Sequence, residues 1–504
     1  MFVRKKKNKS GSVSIQIIQK IEGNNKVVKS VGCSREEKEI NFLVRKAYLE
    51  IPKIQKQQIL DFGYGETDKK ILEFVEGKSI NISSVGANII LGKIFDSIGF
   101  NKIKEPLFKK LVIARIVYPV SKLKTKNYWE RHFDYQISIQ SIYDFLDRLH
   151  QRHKKEIERI SYEYTKRILK TISIVFYDMT TIYFEAKEED DLRKIGFSKD
   201  GKFQKPQIML GLLVGKNGYP IGYDIFEGNT FEGKTLLPVI KRLQSKYGFS
   251  KPIVVADSGL LSKNNIKELK EEKYQFILGA RIRNVSNEIK KEIIKKTNSL
   301  KNGQTVLIND NSDNLIVSFS TKRAKKDIYN RAKGLRKLKA KIRLGKLTKE
   351  QINNRGYNKF LRIKNKIEVE LDEDKVKQDQ KWDGLKGYLT NTKLNNDEVI
   401  KNYQNLWKIE KAFRISKTDL KIRPIFHYKK ERIEAHICLS FVAYTIYKEL
   451  ERLLKANNLD ISITEAIELL ETIYEINFIL PQSGKKEKRF VNLTEKQNSI
   501  LNLV

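Results

Sequence analysis

Two cysteines in 504 residues, Cys33 and Cys438, exclude a disulfide framework and a cysteine zinc site. Histidine is scarce as well: His132, His150, His153, His427 and His436 show no metal-ligand spacing. No apolar run can span a bilayer, the longest being residues 437–447. The opening Met-Phe-Val-Arg-Lys-Lys-Lys has a charged head with no apolar segment behind it, which is not a secretory signal. The expectation is a cytoplasmic chain without a membrane partner. Neither an internal repeat nor a low-complexity linker is visible. Acid is also short, since 61 Asp plus Glu face 99 Lys plus Arg and leave a formal charge of +38. A chain of that charge repels itself unless an anionic partner neutralises it, and nucleic acid is the simplest such partner.

What is present is a soluble composition, 40% hydrophobic and 32% charged, in a chain long enough for several domains. Residues 1–82 read as a small module. Polar and apolar positions alternate in Ser12-Val-Ser-Ile-Gln-Ile-Ile, Gly23-Asn-Asn marks a turn, and a helical pattern follows from the capping signal Ser34-Arg-Glu-Glu to about residue 80. Residues 83–170 are strongly helical in period, with Pro106 and Pro119 at helix starts or breaks. Lys109, Lys110, Arg115, Lys122, Lys124 and Lys126 mark a basic side there.

From about residue 171 the period changes to that of strands. Ile174-Val-Phe-Tyr and Tyr183-Phe-Glu read as neighbouring strands, followed by strands at 207–214, 253–256 and 276–279. A helical crossover, Leu236-Leu-Pro-Val-Ile-Lys-Arg-Leu, precedes the fully apolar strand at 253. Antiparallel strands followed by β-α-β is the order of an RNase H-like mixed sheet, so the fold class expected is α/β. The first part of this core is placed at 171–290, its second at 381–450, and a helical region that could serve dimerisation at 451–504. Between the two parts lies a basic insertion, 291–380, strand-like at Asn314-Leu-Ile-Val-Ser-Phe and Lys366-Ile-Glu-Val-Glu. It carries a cluster from Lys322 to Lys346 that includes Lys325, Lys326, Arg331, Arg336 and Lys337.

Three acids stand out against this background. Asp178 ends the run Ile174-Val-Phe-Tyr, where an unpaired carboxylate is expensive to bury unless a cation meets it, and Asp257 ends Ile253-Val-Val-Ala. Ligands of open α/β sheets gather at such carboxyl ends. Each has a plainer reading, a strand-end turn for Asp178 and an Asx turn for Asp257. Glu410 lies in the helical stretch Tyr403-Gln-Asn-Leu-Trp-Lys-Ile-Glu, where seven-residue steps put Tyr403, Glu410 and Lys417 on one face with Arg414 beside it. A helical Glu between lysines is ordinarily a solvated residue. An oxygen-only ligand set of this kind suits Mg²⁺ or Mn²⁺, and a pair of such ions serves in-line phosphoryl chemistry.

The spacing Tyr403-x6-Glu410-x6-Lys417 is followed by Phe413-Arg414, Arg423-Pro424 and an apolar helix. With Gln207-Ile-Met-Leu-Gly-Leu-Leu-Val, Gly218-Tyr-Pro-Ile and Phe226-Glu-Gly-Asn, it resembles the bacterial insertion-sequence transposases of the DDE type that carry a Tyr-Arg-Glu-Lys signature. The resemblance covers most of residues 85–450. It implies Asp178, Asp257 and Glu410 as the catalytic and metal-binding triad for two divalent ions, and cleavage and strand transfer on DNA, namely transposon terminal inverted repeats and target DNA. It further implies a homodimer, end recognition by the helical segment with Lys122 and Lys124, phosphate contacts by Tyr403, Arg414 and Lys417, and Trp382 as an aromatic that can stack on a flipped base. The signature arginine is replaced by Leu406, with Lys408, Lys411 or Arg414 as its substitutes. The alternatives in other classes are an RNase H-fold DNA nuclease without strand transfer and a catalytically silent basic nucleic-acid-binding protein.

Overall fold

The computed structural model describes residues 1–504 apart from 56–70, 72–73, 76–79, 134, 187, 261, 311–312, 345–346, 348–351, 354, 365–367 and 481–482. Lys346, the Lys366-Ile367 start of an expected strand and much of the helical pattern after residue 55 therefore lie outside the described residues. The chain divides into two compact units, Met1–Asn81 with Asn477–Lys488, and Ile82–Ile476 with Arg489–Val504.

In the first unit, alternation builds an antiparallel meander of β1 (Phe2–Lys7), β2 (Val13–Ile21) and β3 (Asn24–Ser34). One face of β2, Ile15 and Ile17, closes against Ala47 of the helix Glu37–Ile54. The sequence pattern anticipates only a hairpin. The extra strand β1 is concealed by its run Arg4-Lys-Lys-Lys, which is polar in composition yet pairs residue for residue with β2.

The second unit is a mixed α/β structure centred on an eight-stranded sheet. Its middle comprises β5 (Ile174–Tyr183), β6 (Gln207–Val214), β7 (Pro220–Glu227), β8 (Ile253–Ala256) and β9 (Phe276–Ala280); β4 (Ile80–Ser84) precedes them in the chain. The spatial order β7-β6-β5-β8-β9 is antiparallel on the β6 and β7 side of β5 and parallel on its β8 and β9 side. This is the RNase H-like arrangement. The helix Leu236–Tyr247 makes the crossover to β8, and Lys263–Glu271 the crossover to β9.

In place of the two neighbouring strands expected at 174–177 and 183–185, one strand runs from Ile174 to Tyr183 and leaves Phe184 and Glu185 beyond its end, and the third antiparallel strand is Pro220–Glu227. The polar run Asp178-Met-Thr-Thr looks like a turn, but Thr180 and Thr181 are buried and β-branched, so they continue the ladder opposite Leu210 and Met209. The insertion extends the sheet at the β9 edge through β10 (Thr305–Asp310), β11 (Asp313–Phe319) and, after it, β14 (Leu385–Thr390). Between β11 and β14 lie the 23-residue helix Thr321–Arg343, the hairpin of β12 (Leu361–Lys364) and β13 (Glu368–Leu371), and the helix Glu373–Gln380.

Both faces of the sheet are covered. Every residue of β6 is buried, which explains its unbroken apolar sequence. One face meets the helical segment, Gly86–Ile98, Pro106–Val117, Ile139–Arg148 and Lys154–Leu169, packed around the helix Lys430–Ala456. That helix is buried on all sides over residues 435–450, as its apolar sequence requires. The described residues contain no helix long and apolar enough to cross a membrane.

Candidate active site

Asp178 and Asp257 are brought side by side by strand register. Parallel pairing of β5 with β8 sets Tyr177 opposite Ala256, so the next residue of each chain is an acid. Both strands run apolar up to that point because both are buried; β8 ends at Ala256, so Asp257 leaves the sheet, whereas β5 continues beyond Asp178 with Met179 to Ile182 buried. At Asp257 the chain turns sharply into Ser258–Leu260.

The surroundings of the two carboxylates differ. Asp178 is half-buried, and burial pushes its carboxyl up to about 6, with the Lys199 ammonium and the Met179 amide pulling the other way. The Met179 N–H donates to Asp178 Oδ1 at 2.7 Å. Lys199 Nζ lies 3.5 Å from Asp178 and 2.7 Å from Glu232 Oε1, and also donates to the Met179 carbonyl at 2.6 Å. Asp257 instead accepts a hydrogen bond from Tyr403 Oη at 2.8 Å. Burial and the Asp257 charge hold that phenol protonated, well above the usual tyrosine range. Gly279 of β9 makes the approach possible, because a Cβ there would fall on the Tyr403 hydroxyl.

Glu410 comes from the helix Trp407–Arg414. It is exposed and forms no ion pair among the described residues, while its charge acts on Tyr403 and on Lys386 of β14. The single helical face expected for Tyr403, Glu410 and Lys417 is interrupted. One helix, Asn396–Gln404, ends before Asn405, a second begins at Trp407, and a π-turn, Ile415–Asp419, follows. The capping box of Asn395 with Glu398 starts the first helix, and buried Leu406 is the N-cap of the second. Lys417, in that π-turn, pairs at 3.1 Å with Asp200, which also holds Arg423 at 2.9 Å.

The remaining sequence-predicted contacts separate by exposure. Lys325, Lys326, Arg336, Lys337, Lys124 and Arg414 are exposed. Tyr403 is buried, which directs it to Asp257 rather than to solvent. Arg331 is also turned inward, in a bidentate pair with Asp383, and so fastens the basic helix to the turn that carries Trp382. Trp382 lines an open groove with Asp257, Arg281, Arg283, Arg323, Lys386 and Tyr403. Lys122 and Arg115 are buried, not part of a solvated basic side. Lys109 is paired with Asp96 and Lys126 with Glu130.

Sequence reasoning missed Lys199, Glu232, Lys386 and Asp200. Glu232 follows the Phe226-Glu-Gly-Asn segment by a few residues and offered a faint signal; the others sit in segments with no periodic or motif cue. Among the described residues no three His, Cys, Asp or Glu side chains are close enough to hold a metal ion together. The pair Asp178 and Asp257 nevertheless fits a hard cation. Its donors are carboxylate oxygens, one is raised by burial, and Mg²⁺ commonly takes one or two carboxylates with the rest of its shell from water and substrate phosphate.

The family model described as a transposase DDE domain matches residues 169–446, more than half of the chain. No curated protein matches it. Among solved structures the chain is similar to that of a piggyBac transposase synaptic complex with hairpin DNA, at 10% identity over 82% of this chain and 81% of that one, with a TM-score of 0.40. It is also similar to a Mos1 transposase paired-end complex with the left transposon end, at 14% identity over 46% of this chain and 66% of that one, with a TM-score of 0.16.

Proposed function

The chain belongs to the transposase DDE domain family, whose model its residues 169–446 match, and from that membership we propose that it cleaves DNA at the ends of an insertion sequence of the Tyr-Arg-Glu-Lys signature group and joins those ends to a target. The observation that carries the reading is the pair formed by Asp178, midway along β5, and Asp257, just past the end of the adjoining β8, in a chain of formal charge +38. Asp178 and Asp257, with Glu410 from the neighbouring helix, would hold divalent Mg²⁺ or Mn²⁺. When bound, such ions supply a nucleophilic oxygen and neutralise charge on the leaving oxygen.

The chain's own residues have separate tasks. Tyr403 fixes the Asp257 carboxylate through its hydroxyl, which donates to Oδ1. Lys386, between the charges of Asp257 and Glu410, faces the groove where a scissile phosphate would lie. Arg281, Arg283 and Arg323 line the same groove and suit a phosphate backbone; Trp382 at its wall suits a base turned out of the stack. Arg414, exposed on the Glu410 helix, takes the phosphate contact for which Leu406 provides no charge. A reaction on two ends calls for two copies of the chain.

The test is transfer of a pre-cut end. With Mg²⁺ present, an oligonucleotide carrying the element's terminal repeat and a free 3′-hydroxyl should become joined to a supercoiled plasmid. Asp178→Asn and Asp257→Asn should each lose at least nine-tenths of that product while binding the end normally. Cleavage without joining would identify a nuclease, and binding with no cleavage in Mg²⁺ or Mn²⁺ would identify a silent binding protein.

A further inference from the structure

Away from the acids, a cavity of about 560 Å³ lies between the helical segment and the chain that follows the Glu410 helix, within the size range of ligand pockets. Its lining includes Arg115, Ser121, Lys122, His427 and His436, with apolar walls from Pro119 and Phe426. Four of these side chains are more than nine-tenths buried: Arg115 and Lys122 at 5% exposure each, His436 at 5% and His427 at 7%. Cations are seldom buried so deeply without a carboxylate. Here, among the described residues, neither Arg115 nor Lys122 meets one. Asp147, whose charge reaches His427, is held bidentate by Arg432 at 2.8 Å.

The hydrogen bonds point the same way. Arg115 Nη1 donates to the Lys421 carbonyl at 3.3 Å, and its Nε has no partner among the described residues. His436 Nε2 donates to the Ile422 carbonyl at 3.0 Å, and its buried Nδ1, left as an acceptor, has no partner among the described residues. Lys122 opens the helix Lys122–Phe133, whose amino end adds a positive partial charge to the same space. Burial and the Arg115 charge press the Lys122 ammonium well below the ordinary lysine range, and burial presses both imidazoles toward their neutral form. An unpartnered guanidinium Nε–H and positive charge that no carboxylate offsets among the described residues thus face one cavity. Its complement is a compact oxyanion with several acceptor oxygens.

We propose that this cavity is a phosphate-binding pocket, distinct from the acidic centre, that takes one phosphate of a DNA strand on Arg115 and Lys122. The anion site stands on the pocket itself; its assignment to DNA rests on the function proposed above. A tetrahedral phosphate matches the guanidinium fork and the ammonium better than a planar carboxylate, and the cavity is large enough to admit the sugar on either side of it.

The experiment uses the full chain in chloride buffer at constant ionic strength. Inorganic phosphate should raise the melting temperature of the wild type and shift the ring-proton resonances of His427 and His436. In Lys122→Met the phosphate affinity should fall at least tenfold, whereas Lys166→Met, at an exposed lysine outside the cavity lining, should behave as wild type. End DNA is then made with single methylphosphonate linkages. One linkage should weaken wild-type binding about tenfold and leave Lys122→Met binding unchanged, which locates the strand phosphate in the pocket. No phosphate-dependent shift of melting or of the histidine resonances in the wild type, or equal shifts with added chloride alone, would overturn the anion site. A response to inorganic phosphate with no coupled methylphosphonate position would overturn the DNA assignment. If the chain binds no DNA while the pocket still responds, the proposed function falls and the anion site remains. The histidine resonances read the site even if Lys122→Met does not fold.

Discussion

Asp178 is a carboxylate that its own fold penalises. The folded chain binds its proton with a value of about 6 against an ordinary 3.8, chiefly because of burial. A group raised in this way is harmless to stability at low pH and costs stability as pH rises through that interval, so the full penalty stands at pH 7. Asp178→Asn in a chelator at pH 7 should therefore melt higher than wild type, by the equivalent of roughly 1–3 kcal/mol, and the difference should vanish below pH 4. Added Mg²⁺ should stabilise the wild type alone. A variant that melts at or below wild type in chelator would mean that Lys199 already compensates the charge. Leu406 makes the opposite case. It is buried as the N-cap of the Glu410 helix, so restoring the signature by Leu406→Arg would place a guanidinium in the core. A loss of about 3 kcal/mol or more in urea unfolding is expected. Arg414→Ala should leave stability alone and lower end cleavage, since Arg414 is exposed and makes no ion pair among the described residues.

At the scale of elements, the Glu410 helix is held in place by a buried ion cluster. Lys411 bonds Glu451 of the helix Lys430–Ala456 at 2.7 Å, and Lys448 meets the same carboxylate. Burial alone would raise Glu451, but the two ammonium groups outweigh it and bring the carboxyl down to about 2 from an ordinary 4.5. The sign is that of a lowered acid: the stabilisation is complete above pH 4.5 and is lost as pH falls toward 2. Glu451→Gln should remove roughly 2–3 kcal/mol at pH 7 and flatten the acid limb of the stability curve. If acid unfolding of the variant follows the wild-type profile, the cluster is not what anchors the helix. Such pairings also mark the limit of what the chain discloses unfolded. The buried strands and the first acid after each apolar run were legible, because such runs report burial directly, although β5 runs on past Asp178 where the sequence suggested a break. The break at 405–406, the inward turn of Arg331 and the depth of Arg115 and Lys122 were not. Each is a charged or unbroken helical segment by local pattern, and only partners far along the chain decide otherwise. Lys199 and Glu232 were hidden for the same reason, since a loop lysine and a loop glutamate meet at Asp178 only once the sheet has formed.

Over the whole molecule, the excess positive charge has a shape. In the helix Thr321–Arg343, residues Lys322, Lys326, Lys333, Lys337 and Lys341 recur at steps of four and seven and are all exposed, so they form one stripe. The opposite face, with Arg331, Gly334 and Leu338, is buried. Segregation of this kind leaves the lysines without internal work, and a stripe of like charges along a single helix repels itself unless a polyanion lies against it. If DNA lies there, the stripe touches phosphates and carries no sequence preference. Replacing Lys326, Lys333 and Lys337 by Gln together should weaken binding of end DNA and of unrelated DNA by the same factor. It should also reduce the slope of log affinity against log salt by about one for each phosphate no longer neutralised, while folding is unaffected because none of the three is buried. A slope equal to that of the wild type would return the stripe to the solvated surface. Weakening confined to end DNA would instead make the helix a reader of sequence, which the even spacing of its lysines does not suit.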